Sequence, residues 1–176
     1  MNIIVYTNKK IYIFVSTRNA LYNMDIQHEI KSNINLETFK KVVLNILFTE
    51  NILSEQLNDI LKPFGLSGEQ FNVLRILRGQ KQNPANMSCI QERMICKTSN
   101  TTRLVDKLLI KNYVTRQICA TNRRKIEVNI TKDGLEILAE LDPKIIAHEQ
   151  RFSNNLTSQE LDTLNTLLEK YRILNQ

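Results

Sequence analysis

Between Thr98 and Arg103 the chain reads TSNTTR, five small polar residues in succession and then an arginine. An apolar stripe begins only afterwards, with Leu104, Val105 and Leu108. On a helix, Thr101, Leu104, Val105 and Leu108 share one face, while Ser99, Asn100, Thr102, Arg103 and Asp106 stand on the other. Capping explains one Ser or Thr at a helix start, a role open to Thr98 or Ser99. It does not explain five such residues. Short hydroxyl and amide side chains permit close approach, Asn pairs with adenine edges and Arg with guanine edges. The amides and dipole of a helix start also attract phosphate. Ser99, Asn100, Thr102 and Arg103, with Lys97 just ahead, therefore offer hydrogen bonds suited to base edges and phosphates in a DNA major groove.

A second chemistry-bearing run follows at once. Val114 to Cys119 reads as a strand, and Lys125 to Ile130 alternates with Ile126, Val128 and Ile130 on one face. Between them ATNRR forms a basic hairpin tip. A two-stranded wing after a reading helix would set Arg123 and Arg124 beside a neighbouring minor groove, where a narrow groove concentrates negative potential. Lys125 would add a salt-dependent phosphate contact. From Arg93 to Lys132 there are ten Lys/Arg against two Asp/Glu, a net +8 in a chain whose total is +6. All the positive excess lies in this window, the footprint of a polyanion site, although a solvated basic face has the same composition.

Other chemistries find less support. The three cysteines, Cys89, Cys96 and Cys119, lack a paired metal-ligand spacing, and an odd number without regular spacing suggests a reducing compartment. Cys89 lies in an apolar helical pattern and reads as a small buried hydrophobe. Cys96, beside Lys97 and near a helix start, is expected to have a lowered pKa and to be a candidate for oxidation. His28 and His148 are distant from each other and from any nucleophile motif, and no glycine-rich phosphate loop occurs. Neither an enzyme nor a cofactor is expected. No apolar run approaches the roughly 18 residues of a membrane-spanning helix, and a cytoplasmic protein is expected.

Several elements must hold these residues in place. Ile3 to Val15 carries two β-prone runs around a polar turn, suited to a hairpin. Met24 opens more ordinary sequence, so residues 1–23 read as an N-terminal extension, with translation expected to begin at Met24. From Leu36 the apolar positions Phe39, Val43, Ile46, Leu53, Leu57 and Ile60 recur at helical steps until Pro63 and Gly65 stop them. Ser67 with Gln70 makes a capping box for a short helix ended by Gly79. After a loop over 80–86, Ser88 with Gln91 makes a second box, for a helix running to about Ile95. A turn of three or four residues then leads to the reading helix. Thr131 caps a long helix bearing Leu135, Leu138, Leu141, Ile145 and Phe152, which Pro143 should kink. Thr157 with Glu160 opens a last helix with Leu161, Leu164, Leu168 and Tyr171 at helical spacing. The class is mainly α with a small β-wing. Residues 24–176 read as one domain, with a winged helix–turn–helix lobe at 66–131. Long helices at 36–65 and 132–176 extend past that lobe, and a second subunit is the natural cover for their stripes.

The runs QFNVLRILRG, IQERM with TSNTTRLVDKLLIKNYVTR, and NRRKIEVNITKDG resemble the MarR family of winged helix–turn–helix regulators, over about Leu36 to Leu174. The resemblance implies a homodimer that binds palindromic duplex DNA, usually as a repressor released by a small ligand or by oxidation. It implies that the first and last helices interlock, here through Leu36, Phe39, Val43, Leu161, Leu164, Leu168 and Tyr171. It also implies that Arg124 is the wing arginine entering the minor groove. The family usually carries an aspartate two residues earlier; this chain has Asn122, which offers a neutral hydrogen bond in place of a charged pair. Arg75 and Arg78 are candidates for meeting an anionic effector, though solvation is the commoner fate of helix-surface arginines. An alternative from another class is a winged-helix module docking an acidic protein. The arginine-tipped wing favours DNA over it, because a protein-docking wing would more naturally be neutral and aromatic.

Overall fold

The computed structural model describes residues 3–7, 10–14, 25–81, 83–119 and 122–173, with the backbone alone at 3–7, 10–14, 123 and 124. The elements are β1 (Ile3–Thr7), β2 (Lys10–Phe14), α1 (Ile26–Glu29), α2 (Thr38–Leu61), a 3-10 turn (Lys62–Phe64) and α3 (Gly68–Gly79). They continue as β3 (Ala85–Asn86), α4 (Met87–Arg93), α5 (Thr101–Ile110), β4 (Val114–Cys119), β5 (Asn122–Ile130), α6 (Lys132–Ser153) and α7 (Ser158–Tyr171). The fold is mostly helical, with a small antiparallel sheet in the order β3-β5-β4. Contacts divide it into two compact units, Met1–Ile52 and Leu53–Gln176, with the boundary inside α2.

In the first unit β1 and β2 pair antiparallel, Ile3 opposite Phe14 and Thr7 opposite Lys10, where the two β-prone runs stand. The Met24 start lies outside the described residues. The side chain of Gln27 donates to Ile34 O (3.0 Å) and accepts from Leu36 N–H (3.4 Å), so Leu36 stands in a folded-back segment ahead of α2. The helix begins two residues later than the apolar period suggests. Its early turns leave Phe39, Val42, Val43 and Leu47 exposed.

The second unit holds the core. α3 contributes Phe71, Val73, Leu74 and Leu77; α5 contributes Val105 and Leu108; α6 contributes Leu138, Leu141 and Ile145. The 3-10 turn that follows α2 ends where Gly65 adopts φ +62°, the left-handed conformation that glycine takes without strain. The capping boxes at Ser67/Gln70 and Thr157/Glu160 form, and Thr131 caps α6 by accepting from Gly134 N–H at 3.0 Å. Pro143 sits within a helix that continues on both sides of it.

Two caps differ from the sequence expectation. α4 is capped by Asn86, whose side chain accepts from Cys89 N–H at 2.8 Å, and not by Ser88. α5 is capped by Asn100, not by Thr98 or Ser99. Neighbouring polar residues are locally equivalent as caps, and tertiary packing decides among them. α4 also stops at Arg93 because Met94, 1% exposed, turns into the core in an extended conformation. The connection to α5 therefore spans Met94–Asn100, longer than the expected three or four residues. β3 is a further difference: its Ala85 and Asn86 pair with Val128 and Glu127 of β5, in a segment that reads as loop.

The junction of α5, the wing and α6 is unusually close. Thr131 N–H donates to Tyr113 O (3.0 Å), and its hydroxyl donates to Asn112 O (2.7 Å). A Cβ added at Gly134 would lie 2.3 Å from Tyr113 O and 2.8 Å from Ile130 Cγ1, so only glycine fits there.

Candidate nucleic-acid interface

The first turn of α5 sorts the small polar residues by what they touch. Thr101 is buried, and its hydroxyl donates to Gln91 Oε1 of α4. Gln91 Nε2 in turn donates to Lys97 O at 2.7 Å. One glutamine thus ties the start of α5 and the preceding turn to α4. Asn72 of α3 holds the same turn from the other end, its Oδ1 accepting from Ile95 N–H at 3.0 Å. Asn100 is exposed, and its Oδ1 accepts from Arg103 N–H at 3.0 Å. Its capping oxygen is engaged, so Asn100 is better suited to donate outward than to pair through both amide atoms. Thr102 and Arg103 are exposed and Ser99 is half-buried. Lys97 is exposed but bends its ammonium onto Glu92 O, near the end of α4.

The wing is longer and less regular than alternation suggests. β4 and β5 pair Val114 with Ile130, Arg116 with Val128 and Ile118 with Ile126; the next pair is Cys119 with Asn122. Arg123, Arg124 and Lys125 all lie on β5 between those last two rungs, while no residue intervenes on β4. The basic triplet is thus a bulge pushed out of the ladder rather than a loop tip. Lys125 is exposed; the side chains of Arg123 and Arg124, and the tip residues 120 and 121, lie outside the described residues. Arg116 is not part of that cationic group, because its guanidinium pairs with Asp106 of α5 at 2.8 Å.

Of the remaining candidates, Cys96 adjoins this surface and the others lie apart from it. Arg78 makes a two-pronged ion pair with Asp142 of α6, at 2.7 and 3.1 Å, which commits its charge within the second unit. Arg75 lies over the Phe71 ring at 5.7 Å and borders a cleft of about 320 Å³ with Ile146 and Glu149. Cys89 is half-buried against the core. Cys96 is exposed, and its thiol pKa is lowered, chiefly by the Thr98 hydroxyl 3.3 Å away and then by Ser99. The direction is as expected from sequence; hydrogen bonding rather than Lys97 produces it. His148 is buried edge-on to Phe152, and His28 is exposed. Among the described residues no group of three or more His, Cys, Asp or Glu could hold a metal ion, and no helix is long and apolar enough to cross a membrane.

Of the residues proposed to cover a second subunit, Phe39 and Val43 on α2 are exposed, as are Leu164, Leu168 and Tyr171 on α7; Leu36 and Leu161 are partly covered. Sequence reasoning missed Gln91 as a clamp, Asn72 as its counterpart and the Asp106–Arg116 pair. The opposite charges of that pair, ten residues apart on a predicted helix and strand, were the available signal.

This arrangement matches known proteins. A sequence model of the MarR family matches residues 66–126. The multiple antibiotic resistance protein MarR of Salmonella typhimurium is 31% identical over 121 residues, covering 65% of this chain and 78% of that protein. Among solved structures, a MarR-like transcription regulator from Bacillus cereus ATCC 10987 superposes with a TM-score of 0.67 at 25% identity, covering 76% of this chain and 94% of that one. MepR of S. aureus, solved as a complex with DNA, shares the fold at a TM-score of 0.69 and 16% identity, over 78% of this chain and 97% of its own. Through the identity to MarR and the winged helix–turn–helix that carries it, the chain belongs to the MarR family.

Proposed function

We infer that the protein is a DNA-binding transcriptional regulator that acts in the cytoplasm as a homodimer on a palindromic duplex site. It represses, and a small molecule or stress signal relieves it. The observation that carries the reading is the exposure of Asn100, Thr102 and Arg103 on the first turns of α5, in a lobe whose wing, joined to α5 through Arg116 and Asp106, carries a basic bulge on β5. In this reading Ser99, Asn100, Thr102 and Arg103 meet base edges or nearby phosphates in the major groove, with Lys97 at the backbone. Arg123, Arg124 and Lys125 serve the adjacent minor groove and its phosphates. Residues 66–131 are the reading lobe, and the helices over 36–65 and 132–176 bury their apolar stripes on the second subunit. The exposed Leu164, Leu168 and Tyr171 support that assignment. The Arg75 cleft is the candidate effector site, and Cys96 the candidate for oxidation. Relatives named as transcriptional regulators, and a protein of the same fold solved on DNA, support the class of function.

The test is a binding titration against fragments flanking the protein's own gene, at two salt concentrations, with random DNA as competitor. Tight binding that survives competitor is expected, followed by a footprint of two half-sites about one helical turn apart. Weak binding erased equally by salt and competitor would overturn this reading and favour docking to an acidic protein.

A further inference from the structure

The wing has two unlike faces, and they determine how it lies on its target. Paired rungs share a face, and alternate rungs return to the same one. Val114/Ile130 and Arg116/Val128 lie on the face that packs toward α5, with Val114 and Val128 buried and Arg116 bonded to Asp106. The next rung on that face is Ile118/Ile126. It projects past the edge of the core, with Ile118 67% and Ile126 38% exposed. The other face carries Thr115/Asn129 and Gln117/Glu127. Gln117 donates to the Glu127 carboxylate at 3.2 Å, and hydrogen bonds from Cys119 and then Gln117 keep that carboxyl ionised below the usual range.

Two exposed isoleucines opposite each other on a two-stranded ribbon form a small apolar patch at the outer end of the wing. The adjoining residues identify its cover. Directly beyond the rung stands the bulge of Arg123, Arg124 and Lys125, and the reading helix lies on the same side through Arg116 and Asp106. The reverse face presents an anionic carboxylate, which a polyanion avoids. We propose that the Ile118/Ile126 rung is a DNA-contact surface, packing on the deoxyribose walls of the minor groove that the basic bulge enters. Sugar walls are the apolar part of an otherwise charged groove, and apolar side chains are a recurrent device of minor-groove binders. Charge from the bulge would give attraction, and the isoleucine rung would give the wing its depth and tilt. The proposal rests on the DNA-binding reading above.

The experiment uses the full chain and the duplex recovered by titration, with Ile118→Thr and Ile126→Thr, which keep β-branching. Ile118→Val serves as the conservative variant and Glu127→Gln as the reverse-face control. Affinity is measured at two salt concentrations, hydroxyl-radical protection reads the deoxyriboses, and sedimentation reads the oligomeric state. Each threonine variant is expected to bind about five- to tenfold more weakly, from the apolar area lost at the contact. The salt dependence should not change, since no charge is removed. Protection should fall at the flanking minor grooves and persist at the centre of each half-site. The valine variant and the reverse-face control should bind like wild type. Threonine variants with wild-type affinity and protection would overturn the proposal while leaving the regulator reading intact. So would an altered sedimentation coefficient, which would make the rung a contact between copies. A wild-type chain with no sequence preference would instead overturn the regulator reading, and the proposal with it.

Discussion

Asn100 has two jobs that a single substitution can separate. Its carbonyl oxygen caps α5, while the reading proposed for this surface also gives it a base contact. Asn100→Ala should cost about 1 kcal/mol of stability through the lost cap, measured by chemical denaturation. Asn100→Ser retains a capping oxygen, so stability should hold while discrimination against mismatched sites falls by about 1–3 kcal/mol. Equal weakening on every duplex would remove Asn100 from base reading. Cys96 makes a separate prediction. Its thiol pKa is depressed from the ordinary 9.0 by hydrogen bonding, so alkylation should reach half its maximal rate below that pH. Thr98→Val should move the midpoint upward, because the hydroxyl stabilises the thiolate. An unmoved midpoint would show that Thr98 is not the cause.

At the scale of elements, the close junction behind the wing gives a contrast between two glycines. Gly134→Ala pushes a methyl against Tyr113 O and should destabilise the protein by about 1–3 kcal/mol, as overpacking does; Gly79→Ala meets nothing within 4 Å. The second change should be neutral or slightly stabilising, since alanine is the better helix former. Thermal denaturation of the pair checks both. Local signals were legible wherever one residue type settles the matter: Ser67/Gln70, Thr131 and Thr157/Glu160 cap as their spacing predicts. The caps of α4 and α5 were not, because several polar residues compete and the choice depends on Thr101 turning inward to Gln91. The alternation of Ile126, Val128 and Ile130 revealed the inner part of β5. The outer part was hidden by the bulge, which breaks the period of two. β3 is too short to show any period. The Arg78–Asp142 pair joins residues 64 apart, a distance no local pattern can register.

At the scale of the whole molecule, the proposed dimer makes a sharp prediction. Leu164 and Leu168 lie exposed on α7 at one helical turn's spacing. Replacing both with glutamate should convert a dimer to a monomer in sedimentation and abolish cooperative binding to a two-half-site duplex, with the winged lobe still folded. A monomeric wild type would refute the assembly. Arg124→Ala should weaken binding to all sequences and reduce the dependence of log K on log salt by about one; an unaltered slope would place Arg124 away from phosphate. The junction at Thr131 bears on regulation as well. One threonine grips the carbonyls of both Asn112 and Tyr113, and the missing side chain at Gly134 lets α6 sit directly on that backbone. Such a joint has no slack. A tilt at the start of α6 is expected to move the end of α5 and the root of the wing together, as an elbow turns a forearm. In the proposed regulator, an effector that shifted the start of α6 would therefore change how the head meets its target through this joint as well as through the shared core.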